Sequence, residues 1–150
     1  MPAGHAGLPT AAPSPLVLIV EDDVETRQFY MHALRLVGFR TDQAHNGLQA
    51  FEKAVQDLPD LILTDIAVPG IDGIELCRRL RADERTRRIP LLAVTGYGDR
   101  QYEDRARGAG ADRVLIKPCS ADVLTAEARR LLARPSGYGR ASDPVARKVV

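Results

Sequence analysis

The stretch Leu16-Val-Leu-Ile-Val20, followed at once by Glu21-Asp22-Asp23, is the part of the sequence from which the fold can be argued. No polar residue interrupts the five apolar positions, a pattern typical of a strand that is buried on both faces. A helix is predicted over 24–37, because Gly38 supplies a stop and apolar residues recur at helical spacing at Phe29 or Tyr30, Ala33, Leu34 and Val37.

The same alternation of short apolar runs and longer amphipathic segments continues to residue 133. Further strands are predicted over 39–44, 61–65, 90–95 and 112–116, and further helices over 48–58, 74–80, 99–109 and 121–133. Five strands alternating with five helices predict an α/β fold. Because crossovers between parallel strands are right-handed, the strands are expected to form one doubly wound parallel sheet with helices on both faces.

Length and composition place this fold in a single domain. The chain has 150 residues, 45% of them hydrophobic and 27% charged, which suits one globular domain. The domain is predicted over 16–134. Residues 1–15 are rich in proline, alanine and glycine and are expected to be a disordered lead, and residues 135–150 are expected to be a flexible tail.

Charge and cysteine content exclude several classes of protein. The 21 basic and 20 acidic residues give a net charge of +1, which provides no strong field for nucleic acid or an anionic membrane. Cys77 and Cys119 lie far apart without metal-ligand spacing, so a disulfide framework or structural zinc site is not expected. No apolar run is long enough to cross a bilayer, and we expect a cytoplasmic protein.

Reactive side chains follow four of the predicted strands. In a doubly wound sheet, ligands bind at the carboxyl ends of the strands, near the point where the strand order reverses. Each group also has a plain interpretation: Asp23 as a helix cap, the others as turn or solvated residues. Their joint occurrence favours a site built from Glu21, Asp22 and Asp23 after strand 1, Asp65 after strand 3, Thr95 after strand 4 and Lys117 after strand 5.

These residue types suit phosphoryl transfer. Carboxylates held close together repel one another, and a hard divalent cation such as Mg²⁺ relieves that repulsion. A carboxylate beside the cation can act as a nucleophile and form an acyl phosphate. Phosphoryl transfer depends mostly on positioning and on neutralising oxygen charge, which Mg²⁺, the Lys117 ammonium and the Thr95 hydroxyl could provide.

The motifs at these strand ends resemble the receiver domain of two-component response regulators, of the chemotaxis-regulator type. They are LVLIVEDD at 16–23, LILTDIAVPGIDG at 61–73, LLAVTGYG at 91–98 and GADRVLIKP at 110–118. The resemblance covers about 16–133. It implies a flavodoxin-like five-stranded sheet with strand order 2-1-3-4-5.

The resemblance also implies a role for each residue. Asp65 would be the phosphoacceptor, Thr95 the switch hydroxyl and Lys117 the phosphate-binding lysine. In the metal site, Asp22 and Asp65 would be direct ligands of Mg²⁺ and Glu21 would act through water. The triple acid leaves open whether Asp22 or Asp23 is the direct ligand. The remaining implied features are the backbone carbonyl of Ala67 as a metal ligand and a cis peptide bond between Lys117 and Pro118.

Three positions depart from the common pattern of the family. Val114 stands where many members carry a switching aromatic residue, Cys119 stands where phenylalanine is common, and Ala67 lacks the polar side chain of some members. Ala67 and Tyr97 are also expected to flank the path of an attacking water. Because neither is expected to orient that water, slow autodephosphorylation is predicted.

The sequence therefore predicts a phosphoacceptor, not an enzyme, that receives its phosphoryl group from a histidine kinase or a histidine phosphotransfer protein. With about 17 residues after the last helix, a single-domain regulator is expected, one that contacts a downstream protein target in a phosphorelay and does not bind DNA directly.

Three alternatives compete with this interpretation. One is the detached receiver of a hybrid kinase. A second is an Mg²⁺-dependent phosphatase with an aspartate nucleophile, disfavoured because Ala67 stands where a second aspartate is usual. A third is a flavin-binding module, disfavoured because Glu21-Asp22-Asp23 would repel phosphate.

Overall fold

The helices and strands follow one another in the predicted order. The computed structural model describes residues 13–96 and 100–133. Residues 1–12 of the predicted lead, residue 134 at the end of the predicted domain, the predicted tail (135–150) and Tyr97 lie outside this part. The elements are β1 (Leu16–Val20), α1 (Val24–Leu36), β2 (Arg40–Ala44), α2 (Gly47–Asp57), β3 (Leu61–Asp65), α3 (Gly73–Ala82), β4 (Leu91–Thr95), α4 (Arg100–Gly108), β5 (Arg113–Ile116) and α5 (Ala121–Leu132). Within the described residues, no helix has the length and apolar character needed to span a membrane.

The five strands form one parallel sheet in the order β2-β1-β3-β4-β5. β1 lies beside β2 and β3, with Val17 opposite both Thr41 and Leu61. β3 in turn pairs with β4, and β4 pairs with β5. This order confirms the predicted flavodoxin-like fold. The chain order of the strands reverses direction between β1 and β3, so the carboxyl ends of these two strands flank the crevice where a ligand is expected.

The core lies on both faces of the sheet. Leu18 and Val20 of β1 pack in one cluster with residues of α2, α3 and α4. Val17 and Ile19 point to the other face and pack with α1 and α5. All four side chains are at most 1% exposed. The uninterrupted apolar run of β1 is therefore buried on both faces, as predicted from its sequence.

The structure distinguishes between neighbouring apolar residues that the helical pattern left as alternatives. In α1, Tyr30 is buried and Phe29 is 45% exposed. In α5, helical spacing allows either Val123 or Leu124 to face the core, and Leu124 is buried whereas Val123 is 46% exposed. Leu48, whose spacing with Phe51 and Ala54 predicts the second helix, lies in that helix but is 54% exposed. It lies in the first turn of its helix, beside rather than on the stripe through Ala50 and Ala54 that packs on the sheet.

Side-chain caps define where four of the helices begin. Asp23, Asn46, Asp72 and Ser120 precede α1, α2, α3 and α5, and each accepts a hydrogen bond from the backbone N–H three residues later. Such a bond satisfies one of the N–H groups that have no partner within the helix. The helix-cap interpretation of Asp23 is thus confirmed. Each of the loops after β1 and β3 is followed at once by a capped helix.

Candidate functional site

The order of the strands brings four strand ends to one crevice. β1 leads into Glu21, β3 ends at Asp65 and β4 ends at Thr95. Backbone hydrogen bonds tie these ends together, from Ile66 N to Val94 O at 3.0 Å and from Lys117 N to Thr95 O at 2.7 Å. Groups far apart in sequence are therefore held on neighbouring strands, where their side chains can meet.

Lys117 joins two of the predicted acids. Its Nζ lies 3.0 Å from Glu21 Oε1 and 3.2 Å from Asp65 Oδ2. Glu21 is 1% and Asp65 7% exposed, so water provides little screening of these contacts. One ammonium bridging two buried carboxylates leaves the cluster with excess negative charge. A divalent cation would complete its neutralisation.

Burial opposes the charged forms of this cluster. Burial raises the pKa of Glu21, and the hydrogen bond from Lys117 offsets only part of that rise. Burial by itself would lower the pKa of Lys117. The hydrogen bond to Glu21 and the charge of Asp65 outweigh this effect, so the pKa of the Lys117 ammonium is raised overall. Lys117 is therefore held charged, while Glu21 takes up a proton more readily than an exposed glutamate.

Glu21, Asp22 and Asp65 form a potential metal site. Each offers one carboxylate oxygen, and these oxygens lie within 4.8 Å of one another. Asp22 is exposed and faces solvent, where it can contact a hydrated ion. Clustered carboxylate oxygens are hard ligands that suit Mg²⁺ with part of its water shell retained. The donor set present in the chain therefore fits the predicted ion.

Asp23 is engaged in a different contact. Its Oδ2 accepts hydrogen bonds from the backbone N–H of Thr26 at 2.9 Å and from Thr26 Oγ1 at 2.6 Å. The side-chain bond with Thr26 is the main reason that the pKa of Asp23 is lowered. Its carboxylate therefore caps α1, and the group of three acids whose oxygens converge contains Asp22 instead.

Thr95 lies in the wall of a cleft that opens beside Asp65. Its side chain is buried, and the cleft of about 380 Å³ is also lined by Ala67, Lys117 and Tyr102, with Ile66, Asp72, Ile74 and Gly96 completing the described part. Tyr102 was not among the predicted site residues, and it is 43% exposed on the first turn of α4. Its place on the first turn after strand 4 is the signal that could have pointed to it.

The loop after β3 is held in place by two close approaches. A Cβ on Gly73 would collide with the carbonyl oxygen of Asp65, and a Cβ on Gly47 would collide with that of Ile71. Gly47 also donates its backbone N–H to the carbonyl of Pro69 at 3.3 Å. Only glycine fits at these two contacts, so the loop that carries Ala67 lies against the start of α2.

Of the positions that depart from the family pattern, Val114 lies in β5 and Cys119 follows the Lys117–Pro118 peptide bond. The Lys117–Pro118 peptide bond is cis, the form that the resemblance implied. Val114 is buried in the core and presents no aromatic ring. Cys119 shares a side-chain hydrogen bond with Tyr30, whose ring packs in the core from α1. An aromatic residue from α1 thus lies beside the position where the family often has phenylalanine.

Arg27 is a buried charged residue that the sequence analysis did not single out. Its side chain is 5% exposed, and its Nη1 donates to the carbonyl oxygen of Glu21 at 2.8 Å. The signal was available, because Arg27 occupies the same helical stripe as Tyr30, Met31 and Leu34, the buried residues of α1. An arginine on an apolar stripe next to three acids indicates a specific contact.

Comparisons with known proteins identify the family. Residues 17–129 match the family model described as the response regulator receiver domain. The chain is 39% identical over 122 residues to the DNA-binding dual master transcriptional regulator RpaA of Synechocystis, covering 80% of this chain and 50% of that protein. This chain spans about half the length of the first curated relatives that it matches.

Solved structures agree with this assignment. The chemotaxis response regulator CheY4 of Vibrio cholerae is 26% identical with a TM-score of 0.75, and the match covers 79% of this chain and 98% of that one. The receiver domain of the sensor histidine kinase PA1611 of Pseudomonas aeruginosa, solved with a magnesium ion in its active-site cleft, is 29% identical with a TM-score of 0.76, over 81% and 99% of the two chains. The chain belongs to the response regulator receiver domain family, whose sheet it shares and whose acidic strand ends it carries.

Proposed function

We propose that Asp65 accepts a phosphoryl group from a histidine kinase or a histidine phosphotransfer protein, with Mg²⁺ as cofactor. The observation that carries the proposal is the contact of Lys117 Nζ with both Glu21 and Asp65, in a cluster where three acids converge. A lone buried aspartate would favour a structural role. An aspartate paired with an ammonium and surrounded by further carboxylates is suited to nucleophilic attack on a phosphoryl group.

Each residue has a defined task in the proposed reaction. A carboxylate oxygen of Asp65 forms the new bond to phosphorus as the bond from phosphorus to the donor imidazole nitrogen breaks. The ammonium of Lys117, already 3.2 Å from Asp65, neutralises charge on the phosphoryl oxygens. Thr95, in the wall of the same cleft, offers a hydroxyl donor to another of those oxygens. The imidazole leaves and takes up a proton.

The metal site is proposed to use Asp22 and Asp65 as direct ligands. Glu21 would act through water, because its Oε1 is already engaged by Lys117, and the Ala67 carbonyl would complete the protein ligands. Asp23 is disfavoured as a ligand because its carboxylate caps α1. When bound, Mg²⁺ neutralises charge that develops on the phosphoryl oxygens.

Intact-mass analysis tests the function. The purified chain is incubated with a small-molecule phosphodonor in the presence of Mg²⁺ or of a chelator, and the modified residue is located by peptide mapping. We expect the gain of one phosphate, dependent on Mg²⁺ and located at Asp65. A chain that stays unmodified, or that carries its phosphate elsewhere, would contradict the proposal.

Replacing Asp22 is expected to weaken Mg²⁺ binding. Asp22→Ala removes one of the three converging carboxylates, and with few protein ligands left we expect affinity to fall by a factor on the order of 10 or more. Calorimetric titration with Mg²⁺ measures the change. Asp23→Asn is the matched control, because asparagine can cap α1 equally well. The assignment is reversed if Asp23→Asn loses affinity and Asp22→Ala retains it.

Mg²⁺ affinity is also expected to fall as the pH is lowered. Burial raises the pKa of Glu21, so this carboxylate binds protons at a higher pH than an exposed glutamate does, and protons then compete with the cation. Titrations at about pH 7.5 and about pH 5.5 should show weaker binding at the lower pH. At the higher pH, Glu21→Gln should bind Mg²⁺ more weakly than the wild type does. The affinity of this variant should also depend much less on pH. An equal dependence in both proteins would rule out Glu21 as the source.

Signalling by protein contact alone, slow autodephosphorylation and a cytoplasmic location stay predictions, as do the domain limits. RpaA is a DNA-binding regulator by name and is longer than this chain, and the absence of direct DNA binding here likewise stays a prediction. The similarity to the receiver of a sensor histidine kinase supports the alternative of a detached hybrid-kinase receiver. The rate of phosphotransfer to this chain can be compared between purified phosphohistidine domains attached to hybrid kinases and free ones. That comparison would distinguish a single-domain regulator from a detached hybrid-kinase receiver.

A further inference from the structure

Arg27 of α1 is buried directly behind Glu21 and Asp22, the acid pair that follows β1. Its Nη1 donates to the carbonyl oxygen of Glu21 at 2.8 Å and reaches that of Asp22 at 3.5 Å. Its Nε donates to Gln43 Oε1 at 2.8 Å. One planar guanidinium therefore contacts the main chain of both acids and a side chain of β2 at the same time.

The partners of Arg27 are unusual for a buried cation. All three hydrogen bonds go to neutral oxygens, and none of the ion pairs found among the described residues includes Arg27. A buried guanidinium without a carboxylate partner is costly, unless negative charge lies nearby. The carboxylates of Glu21 and Asp22 supply that charge, because they belong to the residues whose carbonyl groups Arg27 contacts. The charge of Arg27 in turn adds to the lowering of the pKa of Asp23, whose main cause is the side-chain hydrogen bond with Thr26.

Gln43, which holds the guanidinium, is itself anchored. The backbone carbonyl oxygen of Gln43 accepts a hydrogen bond from Lys53 Nζ at 2.6 Å, and Lys53 is paired with Asp42 at 3.1 Å. The backbone N–H of Glu21 donates to Ala44 O at 3.2 Å, one residue further along β2. Edge strand β2 and helix α1 thus contact the turn after β1 (residues 21–23, the acid turn) from two sides.

We propose that Arg27 is a positioning residue for the acid pair. By fixing the backbone of Glu21 and Asp22, it holds their carboxylates in the arrangement that binds Mg²⁺. The inference rests on the proposed function, because the value of this arrangement lies in cation binding. Groups that orient metal ligands from behind commonly change metal affinity 10–100-fold when they are replaced.

Calorimetric titration with Mg²⁺ tests the proposal. Arg27→Gln is expected to weaken binding about 10-fold or more, and Arg27→Lys, which keeps the charge but not the planar fork, is expected to recover part of that loss. Gln43→Ala frees the guanidinium without touching the acid turn, and should weaken binding by a smaller factor. Arg35→Gln is the control, because exposed Arg35 also bonds to β2, at Thr41, but does not contact the acids.

A second readout needs no metal. The backbone N–H of Asp23 donates to Glu21 Oε2 at 3.1 Å, so its hydrogen exchange reports the order of the acid turn. In Arg27→Gln it should exchange faster, while the N–H of Ile62 in β3 should be unchanged. If the wild type binds no Mg²⁺, the proposed function fails, and this exchange still decides the role of Arg27.

Three results would overturn the proposal. One is Arg27→Gln with unchanged Mg²⁺ affinity and a lower melting temperature, which would indicate a structural role. Another is tighter binding, which would mean that the charge of Arg27 repels the cation. The third is full recovery in Arg27→Lys, which would assign the effect to charge alone. If Arg27→Gln does not fold, Arg27→Lys and Gln43→Ala carry the same comparison.

Discussion

Asp65→Asn is expected to take up no phosphate under conditions that phosphorylate the wild type. The amide has nearly the shape of the carboxylate but lacks the anionic oxygen that attacks phosphorus, so the loss should be complete within the sensitivity of intact-mass analysis. Asp65 lies at the carboxyl end of a strand whose five residues are all buried. Its replacement removes one negative charge from a crowded cluster, so the fold should remain.

The matched control is Asp72→Asn. Asp72 lines the same cleft, and its carboxylate caps α3 by accepting the N–H of Glu75 at 2.8 Å. Asparagine caps a helix about as well as aspartate, so this variant removes a nearby charge without removing the proposed nucleophile. It should take up phosphate as the wild type does. Equal uptake by Asp65→Asn and the wild type would show that another residue is the acceptor.

Arg81→Met is expected to lower the free energy of unfolding by about 3–5 kcal/mol, a large share of the stability of a single domain. Arg81 pairs with Asp112 at 2.9 Å, and their side chains are 6% and 1% exposed. The same guanidinium also bonds to the carbonyls of Gly110 and Ile89. Removing the cation leaves the negative charge of Asp112 buried without its guanidinium partner, although the backbone N–H of Leu91 still donates to its Oδ2 at 2.8 Å.

Urea unfolding followed by circular dichroism measures this loss. Arg79→Ala is the control from the same helix, since its pair with Glu75 is exposed and such surface pairs contribute at most about 1 kcal/mol. The double variant Arg81→Met, Asp112→Leu should recover part of the loss, because no charge is then left buried. A loss in Arg81→Met no larger than in Arg79→Ala would contradict the argument.

The fold could be argued from local patterns because each strand and helix is defined by its own residues. The apolar run of β1 and the alternation that follows predict ten elements whose limits agree with the structure to within about two residues. The residues at the strand ends were also available, since in a parallel sheet every strand contributes its carboxyl end to the same edge. Glu21, Asp65 and Lys117 meet there as that argument requires.

Other features of the site depend on contacts between distant segments. Helical periodicity cannot distinguish Phe29 from Tyr30, because adjacent residues differ by about 100° around the helix and both border the apolar stripe. Whether Asp22 or Asp23 faces the cluster depends on which of the two caps α1, and the bonds to Thr26 answer that question. The position of Tyr102 on the first turn after β4 indicates that it lies near the cleft, but its place in the cleft wall depends on how α4 packs against the sheet.

The amino-acid pattern was thus sufficient for the class of fold, the order of the elements and the set of groups that meet at the carboxyl edge of the sheet. These depend on hydrophobic periodicity and on the handedness of crossovers, which act within short segments. The bridge of Lys117 to two acids, the burial of Arg27 behind them and the Arg81–Asp112 pair required the folded structure. Each depends on partners brought from distant segments, whose distances and loss of water are set by the packing of the whole domain.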